Sequence, residues 1–209
     1  GGIQTMDDGK MRMHLLLQQL ELTEDSFVKH FENASIDRFT VHKKNRQWAF
    51  QIQLQAVLPI DVFTIFQTRL IEKFSGIANI LLTIQSEGKD VSQELINQYW
   101  PLVLKELSDM APPLKDRLLK QQPEWNGQMI HLTCGQEIEL RTFKKKYIEQ
   151  LSDVYVGFGF PKIAFDFRLV EDTEAIAQAQ LEFLEQRRLE EEMLGQKALE
   201  DMQKRDQNR

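Results

Sequence analysis

Four histidines and one cysteine are the side chains best suited to metal ligation or nucleophilic catalysis in this chain. Their spacing argues against both. His14, His30, His42 and His131 fall on separate predicted elements, with none at the i, i+4 spacing or in the Cys/His cluster that a zinc site needs. Cys134 lies between a predicted strand and a predicted helix, where a helix N-terminus favours a thiolate. No histidine partners it, so it reads as a plain thiol. Gly157-Phe158-Gly159 follows a helix and precedes a strand, the wrong order for cradling a phosphate at a helix N-terminus, and there is no Walker or Rossmann glycine pattern. Carboxylates gather in the last forty or so residues. Asp166 alternates with Phe165 and Phe167 and is expected to face solvent, so no acidic set for two-metal chemistry can be assembled. The expectation is a chain with no catalytic residue, no metal site and no cofactor.

Two basic segments are candidate nucleic-acid contacts: Lys43, Lys44 and Arg46 in a predicted hairpin turn, and Lys144, Lys145 and Lys146 on a predicted helix. Lysines solvating an exposed face are the plainer reading of both. Overall charge favours that reading. Eleven of the 32 acids and six of the 26 bases lie in 171–209, so this tail holds all but one unit of the net −6. The nearly neutral remainder lacks the basic surplus that general binding to a phosphate backbone requires.

The elements that must position these residues follow from periodicity. At 209 residues, 42% hydrophobic and 28% charged, the chain suits one ordinary domain or two small soluble ones. No apolar run reaches the roughly 18 residues of a membrane span, and no secretory signal is visible, so the cytoplasm is the expected setting. Residues 1–9 read as a disordered leader or tag, with Met6 a natural start. Over 10–86 the pattern is ααββαβ. A helix over 10–20 carries Leu16, Leu17 and Leu20 on one face, and a second is capped by Thr23, with Leu22 stapled to Phe27 and a buried stripe of Phe27, Val28 and Phe31. Ile36, Phe39 and Val41 open a strand with imperfect alternation. Trp48, Phe50, Ile52 and Leu54 then alternate with polar or small residues in the clearest strand signal of the chain. A helix carrying Phe63 and Phe66 and a strand over 77–84 close the module, and 86–89 reads as a linker.

The second module, 90–170, reads ααβαβ. Asp90 is the expected cap of its first helix, with Gln93 at the capping-box position and Pro101 a kink or early break. A short helix from Pro112 carries Leu114, Leu118 and Leu119, a strand holds Met129, Ile130 and Leu132, a long helix carries Ile138, Phe143 and Tyr147, and a last strand holds Phe165 and Phe167. Residues 171–209 are expected to form a charged helical linker. Trp48, Phe50, Phe63, Phe66, Trp100, Phe143 and Phe165 are the expected core aromatics, and truncating Trp48 to Ala is expected to cost about 3–5 kcal/mol. The fold class is therefore α+β, two small modules in series followed by a long charged helix. The order of elements in each module resembles a KH domain, whose nucleic-acid grip needs a GxxG loop. No GxxG occurs here, which turns the expectation toward binding protein.

Lys44-Asn45-Arg46-Gln47-Trp48-Ala49-Phe50, Val57-Leu58-Pro59, Gln98-Tyr99-Trp100-Pro101 and Gly157-Phe158-Gly159-Phe160-Pro161, in that order and spacing, resemble the N-terminal region of PolC-type DNA polymerase III, the replicative polymerase of low-GC Gram-positive bacteria. The likeness runs from about Met11 through the charged tail. It implies a first domain similar to the C-terminal domain of the clamp-loader τ subunit, a KH-like second domain, and a region that tethers the polymerase to τ in the bacterial, nucleoid-associated replisome. The family's polymerase acids, proofreading-exonuclease acids and histidinol-phosphatase-like metal residues have no counterpart among these residues. The implied partner is τ, with weaker DNA contact as the alternative, no membrane, and a monomeric fragment.

Overall fold

The alternation around Phe50 becomes the middle strand of the first of two sheets. The computed structural model describes residues 8–88, 90–170 and 173–207. In the first module, helix α1 (Asp8–Gln19) and the single turn α2 (Asp25–Val28), continued as a 3-10 turn over Lys29–Phe31, lead into strands β1 (Ser35–His42) and β2 (Gln47–Leu54), helix α3 (Ile60–Phe74) and strand β3 (Asn79–Ser86). β1 runs antiparallel and β3 parallel to the central β2. The parallel pair requires a crossover, which α3 provides. The second module repeats this plan. It has α4 (Gln93–Glu106), α5 (Pro112–Lys120), β4 (Glu124–Trp125) and β5 (Met129–Cys134). A long helix follows in three stretches, α6 (Glu137–Thr142), a π-helical segment Phe143–Tyr147 and α7 (Ile148–Gly157), and β6 (Ala164–Leu169) completes the module. Here too the central strand, β5, has one antiparallel and one parallel neighbour. The two-residue β4 was not expected, because two residues are too few to display an alternation. With it, both modules run ααββαβ.

Local chemistry explains most departures from the expected elements. The uneven spacing of Ile36, Phe39 and Val41 is a β-bulge: Ile36 pairs with Ile52 and Arg38 with Gln51, leaving Asp37 as the extra residue. The bulge brings Phe39 opposite Phe50 and Val41 opposite Trp48, so all three apolar residues of β1 share the core-facing side. The first helix begins at Asp8, inside the stretch expected to be a leader; residues 1–7 lie outside the described residues. It ends in a Schellman motif. Glu21 takes a left-handed φ of 59°, the Leu22 amide donates to the Leu17 carbonyl, and the Glu21 amide donates to that of Gln18. Leu22 therefore closes α1. Glu24, not Thr23, holds the cap position of α2, and of the expected stripe only Phe31 is buried.

In the second module Ser92 rather than Asp90 caps α4, its Oγ accepting from the Leu95 amide at 3.2 Å. Asp90 instead adopts a φ of 66° just before. Gln93 makes no capping box; its amide bridges to the next hairpin, donating to the Pro123 carbonyl at 2.6 Å and accepting from the Trp125 amide at 2.7 Å. Pro101 is accommodated within α4, which continues to Glu106. Leu119 and Ile138 are exposed, unlike their helix-mates Leu114, Leu118 and Phe143. The π segment has a geometric reason. Phe143, Tyr147, Leu151 and Tyr155 are all buried at four-residue steps, whereas a straight α-helix drifts about 40° per such step. One wider turn keeps the set on a single face.

One hydrophobic core runs through both modules. Phe50, Phe63, Phe66, Trp100, Phe143 and Phe165 lie in it as expected, while Trp48 is only partly buried at its edge. Three of the four sequence motifs quoted above meet where the modules join. The Tyr99 hydroxyl donates to the Leu58 carbonyl at 2.7 Å, and Gln98 Oε1 accepts from the Ile60 amide at 3.2 Å, satisfying a donor at the start of α3. Phe158 stands 5.3 Å from Phe63 and 5.4 Å from Tyr99, centroid to centroid. Phe158 also bridges to Ile84 of β3, and Ser86 Oγ donates to the Gly159 carbonyl. Ser86 of the expected linker is thus fastened to the second module, and the Gly88 amide donates to Ser86 Oγ at 3.1 Å; Lys89 lies outside the described residues.

After β6 comes helix α8 (Thr173–Gln207), with Glu171, Asp172, Asn208 and Arg209 outside the described residues. Phe183, Leu184, Leu189 and Met193 are exposed on it, and Arg188 is flanked one turn either way by Glu185 and Glu192. Such i, i+3 and i, i+4 pairs stabilise a helix that buries little. Among the described residues, no helix is long and apolar enough to cross a membrane.

Candidate interaction surfaces

The β1–β2 turn, 43–46, places Lys43, Lys44 and Arg46 together in solvent. Arg46 holds a left-handed φ of 47°, and its carbonyl accepts from the Asn79 amide at 2.7 Å, tying the turn to the start of β3. Beside the turn, the core-facing side of the sheet runs out from under its helix. Phe74, the last residue of α3, covers Trp48 at 5.1 Å between ring centroids. Phe39 packs edge-on against Trp48 at 5.6 Å and tilted against Phe50 at 4.8 Å. Beyond that cover Phe39 and Val41 remain 41% and 46% exposed. The sequence marked both as strand residues but gave no sign of their exposure, which depends on where α3 stops.

Lys144, Lys145 and Lys146 occupy the π segment of the second module, all exposed, between buried Phe143 and Tyr147. Phe143 stacks on Phe167 at 4.5 Å, and Lys146 Nζ lies 5.3 Å from the Tyr147 ring centre. The two basic groups therefore sit on different modules, one on a strand turn and one on a helix.

Parallel pairing of β5 and β6 brings His131 opposite Asp166 and forms a polar chain that residue spacing alone did not suggest. Asn126 Oδ1 accepts from the amides of Gln128 and Met129, both at 2.9 Å, which turns its Nδ2 toward His131 Nε2 at 3.1 Å. His131 must accept there, so its proton is on Nδ1 and is donated to Asp166 Oδ2 at 3.0 Å. Arg168 Nε reaches the same oxygen at 2.8 Å. These bonds, His131 first and Arg168 next, hold the Asp166 carboxyl below the usual carboxylate range. The chain borders a cleft of about 440 Å³ that Gln121, Glu124 and Thr133 also line. Gln121 closes on Thr133 through both backbone groups, at 2.5 and 2.8 Å. Cys134 ends β5 buried, its thiol pushed up first by burial and then by Glu139. Among the described residues, no group of three or more His, Cys, Asp or Glu is placed to hold a metal ion.

Comparison with known proteins finds a match in each module. The profile of the family described as DNA polymerase III polC-type N-terminus I matches residues 12–84, and that of DNA polymerase III polC-type N-terminus II matches 98–209. The DNA polymerase III PolC-type of Halalkalibacterium halodurans is 33% identical over 180 residues, 86% of this chain and 12% of that protein. Those of Bacillus subtilis and Bacillus cereus are 28% and 29% identical over 94% and 93% of this chain. The chain spans about an eighth of the length of these curated relatives, 13% in the Bacillus proteins. It belongs to the N-terminal region family of PolC-type DNA polymerase III.

Proposed function

We propose that these two modules are a docking device of a replicative DNA polymerase, holding it to the clamp-loader τ subunit during chromosome replication in the bacterial cytoplasm. The observation that carries this reading is the exposed apolar strip on a doubly built, single-cored body of the PolC N-terminal family. A KH-like second module that lacks a GxxG loop is consistent with gripping protein rather than nucleic acid. The longer parent is a DNA-directed DNA polymerase with proofreading 3′–5′ exonuclease activity, and the 209 residues alone neither extend nor degrade a primed template. Calorimetric titration of purified τ into this chain tests the reading. Saturable heat at micromolar concentrations is expected, and flat heats across that range count against it.

A second reading rests on Lys43, Lys44 and Arg46 beside Trp48 and Phe39: a single-stranded DNA grip that combines basic residues with aromatics. Together with Lys144, Lys145 and Lys146 it requires binding that weakens steeply with salt. A flat anisotropy curve with a labelled oligonucleotide at low salt removes it.

A further inference from the structure

We infer that the strip of Phe39, Val41, Trp48 and Phe74, bordered by Lys43, Lys44 and Arg46, is the seat of an acidic protein segment anchored by apolar side chains. The inference rests on the docking reading above and names the surface and the chemistry of what it grips. β1 is an edge strand of its sheet, and its core-facing residues Phe39 and Val41 project past the end of α3 with almost half their surface exposed. The strip is continuous: Val41 pairs with Trp48 across the ladder, Phe39 packs on Trp48, and Trp48 packs on Phe74. Apolar anchors on a partner gain by covering it.

Charge selects the partner. Among the described residues Lys43, Lys44 and Arg46 have no carboxylate within ion-pair distance, which is also true of Lys144, Lys145 and Lys146, but the 43–46 turn is the basic group that borders the exposed Phe39 and Val41. Three unpaired cations on one short turn beside an apolar strip complement a segment whose carboxylates flank its apolar residues. Nucleic acid fits less well. The rings pack edge-on and tilted against one another instead of presenting parallel faces for bases, and Val41 offers no stacking surface. The cations cluster on one turn instead of tracking a backbone over several nucleotides.

The test uses the 209-residue chain with purified τ as the probe, a labelled single-stranded oligonucleotide, and light scattering for self-association. Two variants are compared with the wild type: Lys43→Glu/Lys44→Glu/Arg46→Glu, and Phe39→Ala/Val41→Ala, each checked by circular dichroism for an unchanged melt. Each variant is expected to weaken τ binding at least tenfold, the charge variant losing the salt dependence that the wild type shows. Wild-type binding left unchanged by both variants overturns the assignment of this surface and leaves the docking reading standing. A wild-type chain silent toward τ overturns both. Oligonucleotide binding that competes with τ and is lost in the charge variant overturns the protein segment in favour of nucleic acid. Self-association abolished by either variant overturns it in favour of a second copy of the chain.

Discussion

A carboxylate held between an imidazole and a guanidinium gives up its proton more readily than one in water, and Asp166 is in that position. The sign of its effect on stability follows. Its folded-state pKa lies below its unfolded value, so the native state gains from the ionised form. That gain is complete above the unfolded value of about 4 and is lost as pH falls through the folded one. Asp166→Asn should therefore flatten the acid side of a stability–pH profile, below the unfolded carboxylate value of about 4, while changing little on the alkaline side. The effect should be small, since the pair is partly exposed and screened. Urea midpoints at closely spaced pH values measure it. Asn126 contributes to the same chain by fixing the imidazole tautomer through two backbone amides, and no spacing rule in the sequence foretold that His131 and Asp166 would meet. Only the register of two strands 35 residues apart brings them together.

At the scale of elements, the aromatics separate by cover. Phe66 is fully buried against Phe31, whereas Trp48 is only partly buried under Phe74, the last residue of α3. Phe66→Ala should cost about 3–5 kcal/mol and Trp48→Ala distinctly less, about 1–3 kcal/mol, which corrects the expectation drawn from alternation alone. Chemical denaturation of the two variants measures the difference. Helix α7 ends in a second Schellman motif, in which the Phe160 amide donates to the Tyr155 carbonyl and the Gly159 amide to that of Val156. Gly159 has a φ of 101°, and a Cβ there would stand 2.9 Å from Ile84 Cγ2. Gly159→Ala should destabilise by about 2 kcal/mol or more, since backbone strain and overpacking combine. The thermal midpoint checks it. Element identities were legible because the periodicities of β2, α3 and α4 are strong. Caps were not, because Thr23 against Glu24 and Asp90 against Ser92 are decided by which backbone turn closes first. The bulge at Asp37 was legible only as a flaw in the alternation.

Across the whole molecule, the joint between modules uses the same residues that made the family recognisable. Tyr99, Phe158 and Phe160 pack together, and Tyr99 also contacts Phe63 of the first module. Burial, more than the nearby Asp61, pushes the Tyr99 hydroxyl well above its ordinary range, so it serves as a fixed donor to Leu58. Tyr99→Phe should cost about 1–2 kcal/mol by leaving that carbonyl without its partner. Because the core is shared, it should lower the stability of both halves together. Denaturation followed by tryptophan fluorescence, with Trp48 in one module and Trp100 in the other, should give one transition in both proteins. Two separated transitions would mean that the halves fold independently.

Burying the lone thiol at the end of β5 has a practical consequence. With its ionisation suppressed and its sulfur shielded, Cys134 should react with an aromatic disulfide reagent only in molecules whose second sheet has momentarily parted. The labelling rate then serves as a clock for that opening. A bound partner that slows the clock while touching only the first module would reveal how far its grip is felt through the joint.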